Sequence, residues 1–385
     1  MGFDVIVVGL GAVGSATAYQ LARRGARVLG IDRFTPPHAM GSSHGSTRIT
    51  RLAVGEGPQY VPLVQRSHEI WRDVEALSGE ELMLQTGGLV IGPSDGRGEL
   101  HGERDFVSRT IAVAQQFGIA HEALDAHAVA ERYPQFALQG DERCCFEPSA
   151  GILRPERCVA AQIELARRHG AQFALGEAVV ALEAEGSGCA ITTTAGTHHA
   201  AHAVLTAGAW LPSMLGEPLT QHLTVQRQTL HWFQSADPAA FAPARCPIFI
   251  WSHGAAPEQA FYGTPIVDDI NGVKVATQQY ETTIASPDTM DRAVSAAESA
   301  QLFERHVSGR LRGVTAQRVH AVACPYTVQA LARFIIDRHP RVPSALFASA
   351  CSGHGFKHSA ALGEAIAETL LEGRSVIDLG PFGMH

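Results

Sequence analysis

The chain has 385 residues, 45% of them apolar and 18% charged, enough to bury a sizeable core and unlike the composition of a disordered chain. Its formal net charge of −8, without any Lys/Arg run, argues against a nucleic-acid partner, and no apolar stretch reaches the roughly 20 residues a bilayer requires. The 7 cysteines lack framework spacing, no C-x-x-C pair could hold a metal, and the N-terminus enters a strand directly; these features point to a soluble, reduced, cytoplasmic protein off the membrane.

Residues 3–32 read as a βαβ unit. Phe3–Val8 is a continuous apolar strand, a helix covers 12–24 with Gly25 at its C-terminal cap, and 27–32 is the second strand. Residues 33–58 carry Gly, Pro, Ser and His without a period and read as a loop. Val61, Val64, His68, Trp71 and Val74 mark one face of a helix. A strand at 88–91 is followed by helices near 103–117 and 125–133, the latter capped by Asp125 and stopped by Pro134. Pro155 opens a helix that ends before Gly170. Strands follow at 172–183, 189–194 and 203–206, and 223–280 is strand-like with turns at Asp237-Pro238 and Asn271-Gly272. A helix at 291–306, strands at 314–323, 334–337 and 345–349, and a last helix at 357–371 complete the chain. The pattern predicts an α/β cofactor domain interleaved with an antiparallel sheet domain.

Gly9-Leu10-Gly11-Ala12-Val13-Gly14 fits G-x-G-x-x-G between a strand and a helix, and Asp32 closes the second strand where an acid takes ribose hydroxyls. Gly9 permits the tight turn, Gly11 lets backbone approach a pyrophosphate, and Gly14 lets the helix pack on the strand. An acid at position 32 disfavours NADP, but the turn alone serves NAD or FAD equally.

Only two of the 30 basic residues are lysine, Lys274 and Lys357. Where arginine is otherwise universal, these two are either accidents of composition or places that need a compact point charge rather than a fork.

The segment after Asp32, with Pro36-Pro37-His38 and Gly41-Ser42-Ser43-His44-Gly45-Ser46-Thr47-Arg48-Ile49-Thr50-Arg51, resembles the monomeric sarcosine oxidase and N-methyltryptophan oxidase family. So do Phe146-Glu147-Pro148-Ser149-Ala150-Gly151, Ala207-Gly208-Ala209-Trp210, Cys324-Pro325-Tyr326-Thr327, Phe334-Ile335-Ile336-Asp337 and Ser352-Gly353-His354-Gly355-Phe356-Lys357, in order along nearly the whole chain. The resemblance implies a Rossmann-like FAD-binding domain split into 1–85, 150–217 and 324–385. It implies a substrate domain on a mixed, largely antiparallel sheet at 86–149 and 218–323. It further implies a monomeric flavin oxidase that converts a secondary amino acid and O2 to an imine and H2O2, the imine hydrolysing to amine and aldehyde.

The resemblance also implies residue roles. Gly9, Gly11, Ala12, Val13, Gly14, Asp32, Arg33, Ser42, Ser43, Thr47, Ala207, Gly208, Trp210, Gly353, His354, Gly355, Phe356 and Lys357 would hold FAD, with Cys324 joined to its 8α-methyl. Arg51 and Lys357 would bind the substrate carboxylate, with Tyr262 and Gln278 beside it. Lys274 would activate oxygen, with Arg48, His44 and Tyr326 near the flavin ring. His44 could equally be a loop histidine bonding backbone, His354 could simply bond backbone too, and Cys351 is a second thiol near the attachment point. The chain departs from the family at Gln278, where a histidine is usual, at Ser46 in place of Asp, and at Pro325. Those departures leave other substrates open: a cyclic imino acid, a larger N-methyl amino acid or a glycated one. A flavin dehydrogenase, an NAD-dependent dehydrogenase and a non-catalytic dinucleotide-binding protein remain as other classes.

Overall fold

The computed structural model describes residues 2–384 apart from 218, 268, 280, 281 and 330. The domain boundary expected at 218 falls on one of these and lies outside the described residues. Phe3–Val8 sits in the middle of an eight-stranded sheet, Val5, Ile6, Val7 and Val8 all being buried. It pairs in parallel with Val28–Asp32 on one side and Thr197–Leu205 on the other. Thr197–Leu205 divides its pairing: Ala200 faces Cys189 in an antiparallel ladder, whereas Ala203 faces Ala345 in a parallel one. Helices Ala12–Arg23, Pro155–Arg168 and Ser359–Glu372 stack on one another over this sheet, and their small and aliphatic faces form its core with Val61–Ser78. Gly25, at φ +87°, ends the first helix as expected: its N–H donates to Ala22 O and Ala26 N–H to Leu21 O.

A second eight-stranded sheet runs in the order Val314–Val328, Thr224–Ser235, Val273–Ala276, Ala260–Thr264, Ile248–Ser252, Gly88–Pro93, Glu142–Glu147, Glu122–Asp125. Every neighbouring pair is antiparallel except Ile248–Ser252 with Gly88–Pro93. An aromatic core of Phe136, Phe233, Phe249, Trp251 and Phe261 packs beneath it. Among the described residues no helix is long and apolar enough to cross a membrane.

Several elements differ from the sequence reading. The loop 33–58 contains a short strand, Arg48–Thr50, held by Gly151–Leu153. The helix expected near 103 begins at Phe106, because Glu99–Leu100 and Glu103–Arg104 form a hairpin and Asp105 caps the helix on Ser108 N–H. The helix expected over 291–306 spans Ala296–Leu302 and passes into a π turn at Phe303–Val307. Its start is fixed by the Ser295–Glu298 capping box, and upstream Arg292 donates to Ala39 and Met40 carbonyls instead. The strand expected at 314–323 continues to Val328, since Thr224–Ser235 pairs with it as far as Thr224 opposite Val328. The last helix begins at Ser359, after a tighter turn over Phe356–His358.

Candidate active site

A cavity of about 420 Å³ runs from the glycine turn at 9–14 to Lys357. At the turn, Asp32 accepts from Leu10 N–H through one carboxylate oxygen and from Phe34 N–H through the other, each at 2.8 Å, fixing the loop that leaves the strand. A Cβ on Gly14 would lie 1.8 Å from Gly9 O, so the helix closes on the turn only without one. A Cβ on Gly11 would meet only Ser43 Oγ at 3.5 Å, which leaves its backbone bare to the cavity at a helix N-terminus. This is the cradle a pyrophosphate needs, and these residues fit a dinucleotide cofactor. Farther out, Asp288 joins Arg33 (2.7 Å) to Trp210 Nε1 (2.9 Å), and both line the cavity.

The loop 41–47 carries the middle of the site. Glu156, in the first turn of the Pro155 helix, accepts from Gly45 N–H at 2.6 Å and Ser46 N–H at 3.1 Å, and Ser43 Oγ accepts from Ala12 N–H. Lys274 enters from the centre of the second sheet, opposite Trp232 and Thr264. Its ammonium donates to Gly45 O (2.8 Å), Thr47 O and Thr47 Oγ1 (both 2.9 Å) and lies 5.1 Å from the Trp232 ring centre. Burial, then Arg48, push its pKa well below the ordinary lysine value. Three oxygen acceptors match the three N–H bonds of an ammonium and oppose that push. Arg48 donates to Ser42 and Thr47 carbonyls, and the Tyr262 and Tyr326 hydroxyls are 3.3 Å apart. Burial raises the pKa of both phenols, so they stay neutral.

At the far end, Arg51 and Lys357 are 2% and 4% exposed. Glu147 fixes the chain after Arg51 by accepting from Leu52 and Ala53 N–H. Arg51 donates to Ala53 O and, at 2.6 Å, to Glu56 Oε2; Lys357 donates to His354 O at 2.8 Å and stands 3.7 Å from Glu56 Oε1. Burial pushes Lys357 down to about 8 against the pull of Glu56. Burial alone would raise Glu56; Arg51, Lys357 and His101 outweigh it and hold the carboxyl well below its usual range.

The cavity brings together all the residues the sequence singled out except three. Gly14 packs against the strand. His44 is buried off the cavity, and burial with Arg48 and Lys274 lowers it to about 3, so it is neutral. Cys324 is fully buried behind the wall, its thiol pushed up to about 11 by burial, while Cys351 lines the cavity. His354 bonds Ala332 O at 2.8 Å and stacks on Phe334, the backbone-bonding role left open for it. Gln278 lines the cavity between His101 and Ser352 O. Sequence reasoning missed Glu56, His101, Glu156 and Asp288. Glu56, flanked by Gly55 and Gly57 five residues after Arg51, carried a faint local signal; the other three sit in no motif.

Residues 4–369 match the family described as FAD dependent oxidoreductase. The chain is similar to a monomeric sarcosine oxidase from Streptomyces avermitilis, 37% identical over 383 residues, covering 99% of this chain and 96% of that one. It is also similar to an N-methyl-L-tryptophan oxidase from Salmonella dublin, 32% identical over 386 residues, covering 99% and 98%. The fold is similar to that of NikD, described as an unusual amino acid oxidase essential for nikkomycin biosynthesis, with a TM-score of 0.84, 23% identity and coverage of 99% and 97%.

Proposed function

Because the chain belongs to the FAD dependent oxidoreductase family, we propose that it oxidises secondary, N-methyl-type amino acids with O2. The observation that carries this reading is the pair Arg51 and Lys357, two buried cations at one end of the cofactor cavity with a single carboxylate, Glu56, between them.

FAD, which the turn at 9–14, Asp32 and the loop 41–47 would hold, would supply two-electron chemistry: acceptance of a hydride from the carbon next to the substrate nitrogen and return of the electron pair to O2 as H2O2. The chain does the rest. Arg51 offers a planar fork and Lys357 a point charge to the substrate carboxylate. The same cations disfavour the ammonium form of the substrate amine, leaving the lone pair that oxidation requires. Glu56 keeps both cations charged and aimed when no substrate is bound. Tyr262 and Tyr326 wall the site with neutral hydroxyls. Lys274, with every N–H engaged, is a fixed positive charge for the anion that O2 becomes on reduction. Water then hydrolyses the imine product: N-methyl amino acid, O2 and water give amino acid, formaldehyde and H2O2.

The reading includes attachment of the cofactor through Cys324, which faces Arg48 and Lys274; both favour its thiolate against burial. It also takes the enzyme as a cytoplasmic monomer, supported by the name of the Streptomyces relative and by seven cysteines free of disulfides. The deciding experiment is a visible spectrum before and after acid precipitation, then H2O2 release with sarcosine, larger N-methyl amino acids and pipecolate. A yellow pellet that turns white in Cys324→Ser, and peroxide from an N-methyl substrate, are expected. A yellow pellet in that variant removes Cys324, and peroxide from pipecolate alone removes the N-methyl class.

A further inference from the structure

The cavity ends at Glu56 and His101, and the same two side chains form one wall of a second cavity of about 190 Å³. Among the described residues no others line both. The second cavity is polar, faced by Gln59, Glu103, Arg109 and Arg333. Glu56 is held in place by Arg51 and Lys357, so His101 is the half of the partition that depends on its own supports.

Those supports are extensive. The imidazole is 9% exposed, with Nδ1 3.2 Å from Glu56 Oε1 and Nε2 against Gln278 Oε1. Gln278 Nε2 donates to Ser352 O at 3.3 Å, which fixes the amide so that its oxygen meets the ring. Phe106 meets the ring edge-on at 6.2 Å, and His354 lies 5.2 Å away. His101 is at the tip of the Glu99–Leu100/Glu103–Arg104 hairpin with φ +53°, a left-handed conformation that costs a side chain about 1 kcal/mol and a glycine nothing. A glycine would suit the turn better, yet the position carries a ring gripped from several sides.

We propose that His101 sets the substrate range of the enzyme. Its ring closes the cavity beside the carboxylate-binding cations and confines the site to amino acids with short side chains. Without the ring the two cavities become one, and a long polar side chain reaches Gln59, Arg109 and Arg333. This rests on the reading of Arg51 and Lys357 as the carboxylate site.

The test uses two variants of the flavin-loaded enzyme. His101→Gly removes the ring and relieves the backbone, so folding is favoured; His101→Phe keeps the bulk and loses both ring nitrogens. Two ratios are read: kcat/KM for N-methyl-L-glutamine over sarcosine, and affinity for glutaramate over propanoate from the flavin absorbance. Both should rise about tenfold or more in His101→Gly and stay within about twofold in His101→Phe. Unchanged ratios in His101→Gly, or an equal rise in His101→Phe, overturn the proposal. If the wild type binds propanoate but oxidises neither amine, the reaction assignment fails while the affinity ratio still decides the partition. If it binds no carboxylate, both fall.

Discussion

Lys357 shows what burial does to a single charge. It is positive below about 8 and neutral above, so substrate carboxylate binding should weaken as pH climbs through that value. We expect KM to rise on the alkaline side in the wild type, and that limb of the pH profile to vanish in Lys357→Met, whose KM is high throughout. Lys274 is a charge of another kind, pinned by three oxygens away from the carboxylate end. Lys274→Met should slow flavin reoxidation by about a hundredfold while reduction by substrate changes far less, as stopped-flow half-reactions would show. Both lysines were conspicuous because arginine is so nearly universal in this chain, while their expected roles came from the resemblance. Glu56 offered only the faint signal of its flanking glycines, and His101 none: it meets Gln278 across 177 residues of sequence, a pairing that no local spacing dictates.

At the scale of elements, legibility followed the strength of local signals. The first strand, glycine turn and helix formed as their pattern required, because each position has one physical demand on it. Gly14 is the sharpest case. Gly14→Ala puts a methyl 1.8 Å from Gly9 O and 2.6 Å from Thr206 Oγ1, so the helix must lift off the strand. A loss of about 1–3 kcal/mol in denaturant unfolding and a fall in flavin content are expected. Where partners decided the outcome, the sequence misled. The strand expected to stop at 323 runs on through Pro325, because Arg227 opposite it spends its N–H on Thr282 O and its carbonyl on Gln279 Nε2, so no ladder bond needs the missing donor. The helix expected from 291 starts only at 296, since Arg292 is drawn across to the 39–40 carbonyls.

At the scale of the molecule, the site is assembled from distant stretches: the turn at 9–14, the loop at 41–51, the strands bearing Lys274 and Tyr326, and the turn at 353–357. The second sheet came out largely antiparallel, as the strand-like stretch 223–280 and its turns suggested, and mixed, as the resemblance implied, but its strand order could not be read, because long connections carry no local code for pairing. The scarcity of lysine has a consequence at this scale. The only two lysines are buried in the cavity wall, at 2% and 4% exposure. A lysine-specific protease therefore has no accessible bond in the folded protein, and each cut it makes records an opening of the cavity itself. Added FAD or a carboxylate ligand should slow that cleavage in proportion to occupancy, whereas an arginine-directed protease should find surface bonds whether the cavity is filled or not.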